Sequence, residues 1–139
     1  MKTAYTDGAC RGGNPGICSC GWILYLGDPP VTFSKGYYLG PELHSNNFAE
    51  FSGLLRLLEY LYLHKVENVT IFCDSLLVVN TVMDVWDLSE PTLLPLWRKA
   101  YGLRVAGHHT VKHVKGHSGV EGNEAVDKLC NEVLDEKQA

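Results

Sequence analysis

Alternation of apolar and polar positions opens the chain. Lys2-Thr3-Ala4-Tyr5-Thr6-Asp7-Gly8-Ala9-Cys10 is short, alternating and rich in β-forming residues, so it predicts a strand. The strand delivers Asp7 near its end, before a loop (Arg11-Gly12-Gly13-Asn14-Pro15-Gly16) dense in turn residues. Residues 21–26 predict a second strand, Asp28-Pro29-Pro30 a turn, and residues 31–38 a third strand. With connections this short the three form an antiparallel meander. Pro41, Ser45 and Asn46 then break the pattern, and its period changes to that of a helix over about 47–64, with Ser45 or Asn46 as N-cap. Leu54, Leu57, Leu58 and Leu61 mark the buried stripe of this helix, and Glu50 falls on the same face.

Residues 69–74 are nearly continuously apolar, as expected of a strand covered on both faces, and the run ends in Asp74. Ser75 caps a short predicted helix over 76–83, and helical spacing resumes over 91–103. A fifth strand is predicted near 110–115 and a last helix over about 120–136. Val126, Leu129, Cys130 and Val133 form the stripe of that helix, with Asp127 at its edge. The order βββαβααβα predicts an α/β fold, a five-stranded mixed sheet flanked by helices.

Composition adds bounds. At 139 residues one domain is expected. The net charge is −4 and charged residues make up 20 % of the chain, an ordinary soluble composition without the basic excess of many nucleic-acid binders. No apolar run reaches membrane-spanning length and no signal pattern opens the chain, so an intracellular protein without a membrane partner is expected. The cysteines (Cys10, Cys18, Cys20, Cys73, Cys130) do not have zinc-site spacing and read as reduced, mostly buried thiols. A disulfide or metal site among Cys10, Cys18 and Cys20 is the lesser reading.

The chemistry lies in four acids. Asp7 alone reads as a turn acid, and Glu50 alone as a partner of the helix dipole. Yet Asp7, Glu50, Asp74 and Asp127 come from four elements, each at or near a position expected to face the core. Carboxylates meeting in one place repel unless cations hold them. An all-oxygen set favours Mg²⁺ or Mn²⁺, as in two-metal phosphoryl chemistry.

Several segments carry a resemblance. Thr6-Asp7-Gly8-Ala9, the Gly12-Gly13-Asn14-Pro15-Gly16 loop, Asn46-Asn47-Phe48-Ala49-Glu50, Asp74-Ser75, Lys115-Gly116-His117-Ser118-Gly119 and Asn123-Glu124-Ala125-Val126-Asp127 together resemble type 1 ribonuclease H. The resemblance runs through essentially the whole chain, in order. It implies the ribonuclease H-like fold, a single catalytic domain over 1–139, and hydrolysis of the RNA strand of RNA–DNA hybrids to 5′-phosphate and 3′-hydroxyl ends. It further implies Asp7, Glu50, Asp74 and Asp127 as ligands of two Mg²⁺ ions per active site when substrate is bound (Mn²⁺ as the alternative). His117 is implied as the group that assists proton transfer or product departure. Asn14, Ser45, Asn46, Asn47 and Ser75 match positions that line the minor groove or hold a phosphate; for Ser45 and Ser75, helix capping is an equal reading. A cytoplasmic monomer is expected.

The chain also departs from the family pattern. The loop at Arg11-Gly12-Gly13 reads as one residue longer than in many members, and Leu76 follows Ser75 where many have a polar side chain. Where some members insert a lysine-rich handle, this chain has the short acidic stretch Asp84-Val85-Trp86-Asp87-Leu88-Ser89-Glu90-Pro91, so it resembles a member without the basic handle. A binding module of the same fold, or a nuclease domain working beside a reverse transcriptase, are the competing readings. The intact acid set argues against the first; a chain running from Met1 to just past its last helix favours a free-standing enzyme over the second.

Overall fold

Strand β1 (Lys2–Arg11) forms the middle of a five-stranded sheet in this computed structural model, which describes residues 1–115 and 121–138. β2 (Ile17–Leu26) pairs antiparallel along one side of β1, and β3 (Val31–Tyr38) antiparallel to β2. On the other side β4 (Thr70–Cys73) and β5 (Thr110–His113) run parallel to β1, giving the order β3-β2-β1-β4-β5. The helices are α1 (Asn46–Leu63), α2 (Leu76–Val82), α3 (Leu94–Ala106) and α4 (Glu121–Gln138). The mixed sheet and the βββαβααβα order stand as read from the sequence.

One face of the sheet carries the main core. Leu54, Leu57, Leu58 and Leu61 of α1 pack with Ala4, Trp22, Leu24 and Ile71 of the strands, and α2, α3 and β5 add Val78, Val82, Ala100 and Val111. Each buried leucine contributes on the order of 1.5–3 kcal/mol relative to exposure. The α1 helix lies unusually close to β1. A methyl group on Gly53 would meet the Asp7 carbonyl oxygen at 2.6 Å, and one on Gly8 would meet Ala49 and, at 2.6 Å, the Glu50 nitrogen. Backbone therefore rests on backbone where the first turns of α1 cross β1 at Asp7 and Gly8.

The other face is covered by α4, through the buried Val126, Cys130 and Leu134. Two bonds fix it laterally: the Ser19 hydroxyl donates to the Cys130 carbonyl at 2.7 Å, and the Cys130 thiol donates to the Asp7 carbonyl at 3.6 Å. At the far end Arg11 pairs with Asp135 at 2.6 Å and donates to the Asn131 carbonyl at 3.1 Å and to Gln138 at 3.0 Å. Arg11 is thus the last residue of β1 and a clamp on α4, not part of a loop.

Other sequence readings change as well. β2 begins at Ile17, four residues before the predicted start. α3 begins at Leu94, because Glu90 holds a turn ahead of it, accepting from the Thr92 amide at 3.3 Å and the Thr92 hydroxyl at 3.0 Å. The cysteines are not all reduced: Cys10 and Cys18 face each other across β1 and β2 and are joined by a disulfide, while Cys20, Cys73 and Cys130 are free and buried.

Candidate active site

The acids gather where the parallel pairing of β1 with β4 ends. Asp7 sits late in β1 and is 3 % exposed; its carboxylate accepts the Gly8 amide at 2.8 Å. Asp74 directly follows β4, whose last residue, Cys73, lies opposite Thr6. Glu50 stands in the second turn of α1, and the backbone contact at Gly8 and Gly53 brings it against Asp7, with which it shares a hydrogen bond. Asp127 projects from α4 within electrostatic reach of Asp7. Its carbonyl accepts the Asn131 side-chain amide at 3.0 Å. All four acids predicted from the sequence thus come together.

The electrostatic consequence is steep. Burial, then the neighbouring Asp74 and Asp127, push the Asp7 carboxyl up to about 7, against the lowering effect of its bonds to Glu50 and Gly8. Burial and the charges of Asp7 and Asp74 raise Glu50 well above the usual carboxylate range. Without cations the cluster therefore keeps protons that ordinary carboxylates lose. Hard oxygen donors, crowded and short of countercharge, are the set that divalent ions satisfy.

The predicted substrate residues lie in the glycine loop and at the starts of α1 and α2. The Asn14 side-chain oxygen accepts the Asn46 amide at 3.0 Å, tying the glycine loop to the start of α1, and a bridge between Gly16 and His44 braces the same junction. Asn46 and Asn47 are exposed in the first turn of α1. The capping reading holds for both serines: Ser45 accepts the Phe48 amide at 3.1 Å and Ser75 the Val78 amide at 3.2 Å. His117 lies outside the described residues.

Two neighbours of the site were given no site role from the sequence, His113 being read as structural and Cys73 as a buried thiol. His113, at the end of β5, hydrogen-bonds through Nε2 to the Asp74 carbonyl at 3.2 Å. The Cys73 thiol lies beneath Glu50, 3.8 Å from its carboxylate. The signal for both was the parallel register that sets Cys73 beside Thr6 and His113 beside Cys73, which needs the strand pairing and not only the strands.

Comparison with known proteins shows the family. The family profile described as RNase H matches residues 1–135. The chain is 33 % identical over 134 residues to the ribonuclease HI of Halobacterium salinarum, covering 96 % of this chain and 64 % of that longer protein. It is 32 % identical over 145 residues to the ribonuclease H of Francisella philomiragia, covering 96 % of this chain and 90 % of the relative. The crystal structure of LC11-RNase H1, a protein isolated from compost by a metagenomic approach, in complex with RNA/DNA hybrid superposes with a TM-score of 0.84, at 28 % identity and over 100 % of both chains. The chain belongs to the ribonuclease H family, whose members depend on divalent metal ions. Among the described residues no helix is long and apolar enough to cross a membrane.

Proposed function

We infer that this protein is an endoribonuclease that hydrolyses the RNA strand of RNA–DNA hybrids, with residues 1–139 acting as one catalytic domain. The observation that carries the reading is the meeting of Asp7, Glu50, Asp74 and Asp127 from four elements in a protein of this family. Asp7, Glu50, Asp74 and Asp127 would hold two Mg²⁺ ions, or Mn²⁺. When bound, these ions supply a nucleophilic water and charge stabilisation for an in-line displacement that leaves 5′-phosphate and 3′-hydroxyl ends. His117 takes up or returns a proton, or helps the product leave.

Substrate reading falls to short polar side chains, because the 2′-hydroxyl is the local difference between RNA and DNA. The oxygen of Asn14 is committed to Asn46, so its NH₂ group is the part that can donate to the substrate. Ser45 and Ser75 accept from backbone amides through oxygen and keep a hydroxyl proton to donate to a phosphate. A cytoplasmic monomer is our reading of the setting; a reducing compartment would tend to open the Cys10–Cys18 bond.

A labelled hybrid incubated with Mg²⁺, with Mn²⁺ and with EDTA tests the activity. Cleavage of the RNA strand with either ion and none in EDTA is expected; binding without turnover would make the protein a hybrid-binding module. His117→Ala should lower kcat by roughly ten- to a thousandfold and leave calorimetric metal affinity in place. Collapse of that affinity would make His117 a ligand instead.

The acidic connection between α2 and α3 yields another expectation. Asp84 and Asp87 are exposed beyond the far end of the seven-residue α2, about 10 Å along the helix from Asp74. They should repel a DNA strand passing there and weaken binding more than chemistry. Asp84 has φ 64°, a conformation that asparagine tolerates. The suitable variant is therefore Asp84→Asn with Asp87→Lys, leaving Glu90 to hold its turn. It should lower KM several-fold, keep kcat within about threefold and steepen the salt dependence. Steady-state kinetics at several salt concentrations measure this, and unchanged KM and slope would mean that the hybrid does not pass this stretch.

A further inference from the structure

A thiol on the floor of a carboxylate cluster is a mixed donor set. The Cys73 sulfur, a Glu50 carboxylate oxygen and an Asp74 carboxylate oxygen all lie within 4.8 Å of one another. We propose that Glu50, Cys73 and Asp74 form a site for a thiophilic divalent ion, Zn²⁺ in the cell, that competes with the oxygen-loving ions supporting hydrolysis. The proposal rests on the reading of Glu50 and Asp74 as metal ligands and adds Cys73, which that reading leaves out.

Distances support it first. A tetrahedral Zn²⁺ with bonds of about 2.3 Å to sulfur and about 2.1 Å to oxygen sets those two atoms about 3.6 Å apart. Cys73 Sγ and Glu50 Oε2 are 3.8 Å apart, so two of the donors already stand close to bonding geometry. Asp74 lies in the turn between β4 and α2 and can close the remaining gap by a modest side-chain adjustment. Cys73 is fixed, being paired on one side with Thr6 of β1 and on the other with His113 of β5.

The surroundings of the sulfur support it next. In the metal-free protein Cys73 is fully buried and remains a thiol, its S–H directed at Glu50. When the ion binds, the sulfur–metal bond replaces the sulfur–hydrogen bond and the proton leaves to solvent. The Thr6 hydroxyl is buried beside this sulfur and has no hydrogen-bond partner by strict geometry among the described residues. A hydroxyl so placed can donate to the charge that the sulfur gains, as groups around a ligand commonly do. Mg²⁺ selects oxygen and gains nothing from the sulfur, so Cys73 sorts ions by softness.

The probe is Cd²⁺, added to the metal-free protein and followed by calorimetry and by the ultraviolet charge-transfer absorption of sulfur–cadmium bonds. Cys20 and Cys130 are also free thiols, so Cys73→Ser and Cys73→Ala are the comparators, two variants of different polarity, each checked by circular dichroism. Wild type should show the absorption band and bind Cd²⁺ at least tenfold more tightly than either variant. Mg²⁺ affinity should change far less, so that the Cd²⁺/Mg²⁺ ratio of affinities falls about tenfold. Glu50→Gln, which keeps the thiol, should also weaken Cd²⁺ binding. A band that survives in both Cys73 variants, or unchanged Cd²⁺ affinity, overturns the proposal. Hybrid cleavage by wild type in Mg²⁺ is scored separately. Cleavage without the Cys73-dependent band removes this site alone, and the band without cleavage removes the nuclease reading alone.

Discussion

Asp7→Asn is expected to remove hybrid cleavage by roughly a thousandfold or more and, at the same time, to stabilise the metal-free protein. Asp7 touches every other acid of the cluster electrostatically or by hydrogen bond, so loss of its charge unseats the ions that the cluster would hold. The same charge is a liability when no ion is present. Its carboxyl is raised from 3.8 to about 7, chiefly by burial and then by Asp74 and Asp127, so the folded state keeps a proton that the unfolded chain has lost. Stability from this group is therefore fully present below about pH 4 and is lost as pH rises through about 7. At about 1.4 kcal/mol per pKa unit, that loss is on the order of 4 kcal/mol at most, and the raised Glu50 acts in the same direction. Denaturation in EDTA at pH 5 and pH 8 should show wild type losing stability and Asp7→Asn losing much less, with Mg²⁺ restoring the wild type. A folded Asp7→Asn protein with ordinary turnover in Mg²⁺ would refute the assignment of Asp7. Equal pH slopes in EDTA would refute the electrostatic account.

Gly53→Ala should lower kcat by roughly a hundredfold although no ligand or substrate group is touched. The added methyl would stand 2.6 Å from the Asp7 carbonyl oxygen and 3.4 Å from that of Gly21. Both are backbone atoms inside a paired sheet, so α1 is the part that must shift. Glu50 moves with α1 while Asp7 and Asp74 stay on the strands, and a displacement of about 1 Å at a reacting centre can cost a hundredfold in rate. Stability should fall by about 1–3 kcal/mol, as for other overpacked sites. Kinetics beside urea denaturation separate the two effects. A loss of stability with unchanged kcat would show that the helix takes up the strain without moving Glu50.

Much of this architecture was legible in the sequence because the burial of single elements is periodic. The leucine stripe of α1 placed Glu50 on its inner face, and the apolar run of β4 placed Asp74 at a strand end. The motifs around Asp7 and Asp127 completed the set. What escaped was pairing. Residues 17–20 (Ile17, Cys18, Ser19, Cys20) follow a glycine and three of the four are small, so they looked like loop, and with Cys18 outside a strand nothing set it opposite Cys10. Arg11 looked like loop for the same reason, and its partners on α4 are more than a hundred residues away. Cys73 read as one more buried apolar position, because the carboxylate above it belongs to another element.

The clamp of Arg11 on α4 has a consequence for biosynthesis. Translation delivers the carboxylates in the order Asp7, Glu50, Asp74, Asp127, and the last rides on the helix that follows every other element in this fold. Part of what secures that helix forms when Asn131 and Asp135 reach Arg11, a residue of the first strand to emerge. Asp127 can therefore join the other three carboxylates only once α4 has left the ribosome. Until α4 emerges the proposed ion-holding set lacks Asp127, so hydrolysis that depends on all four carboxylates is not expected of the nascent chain.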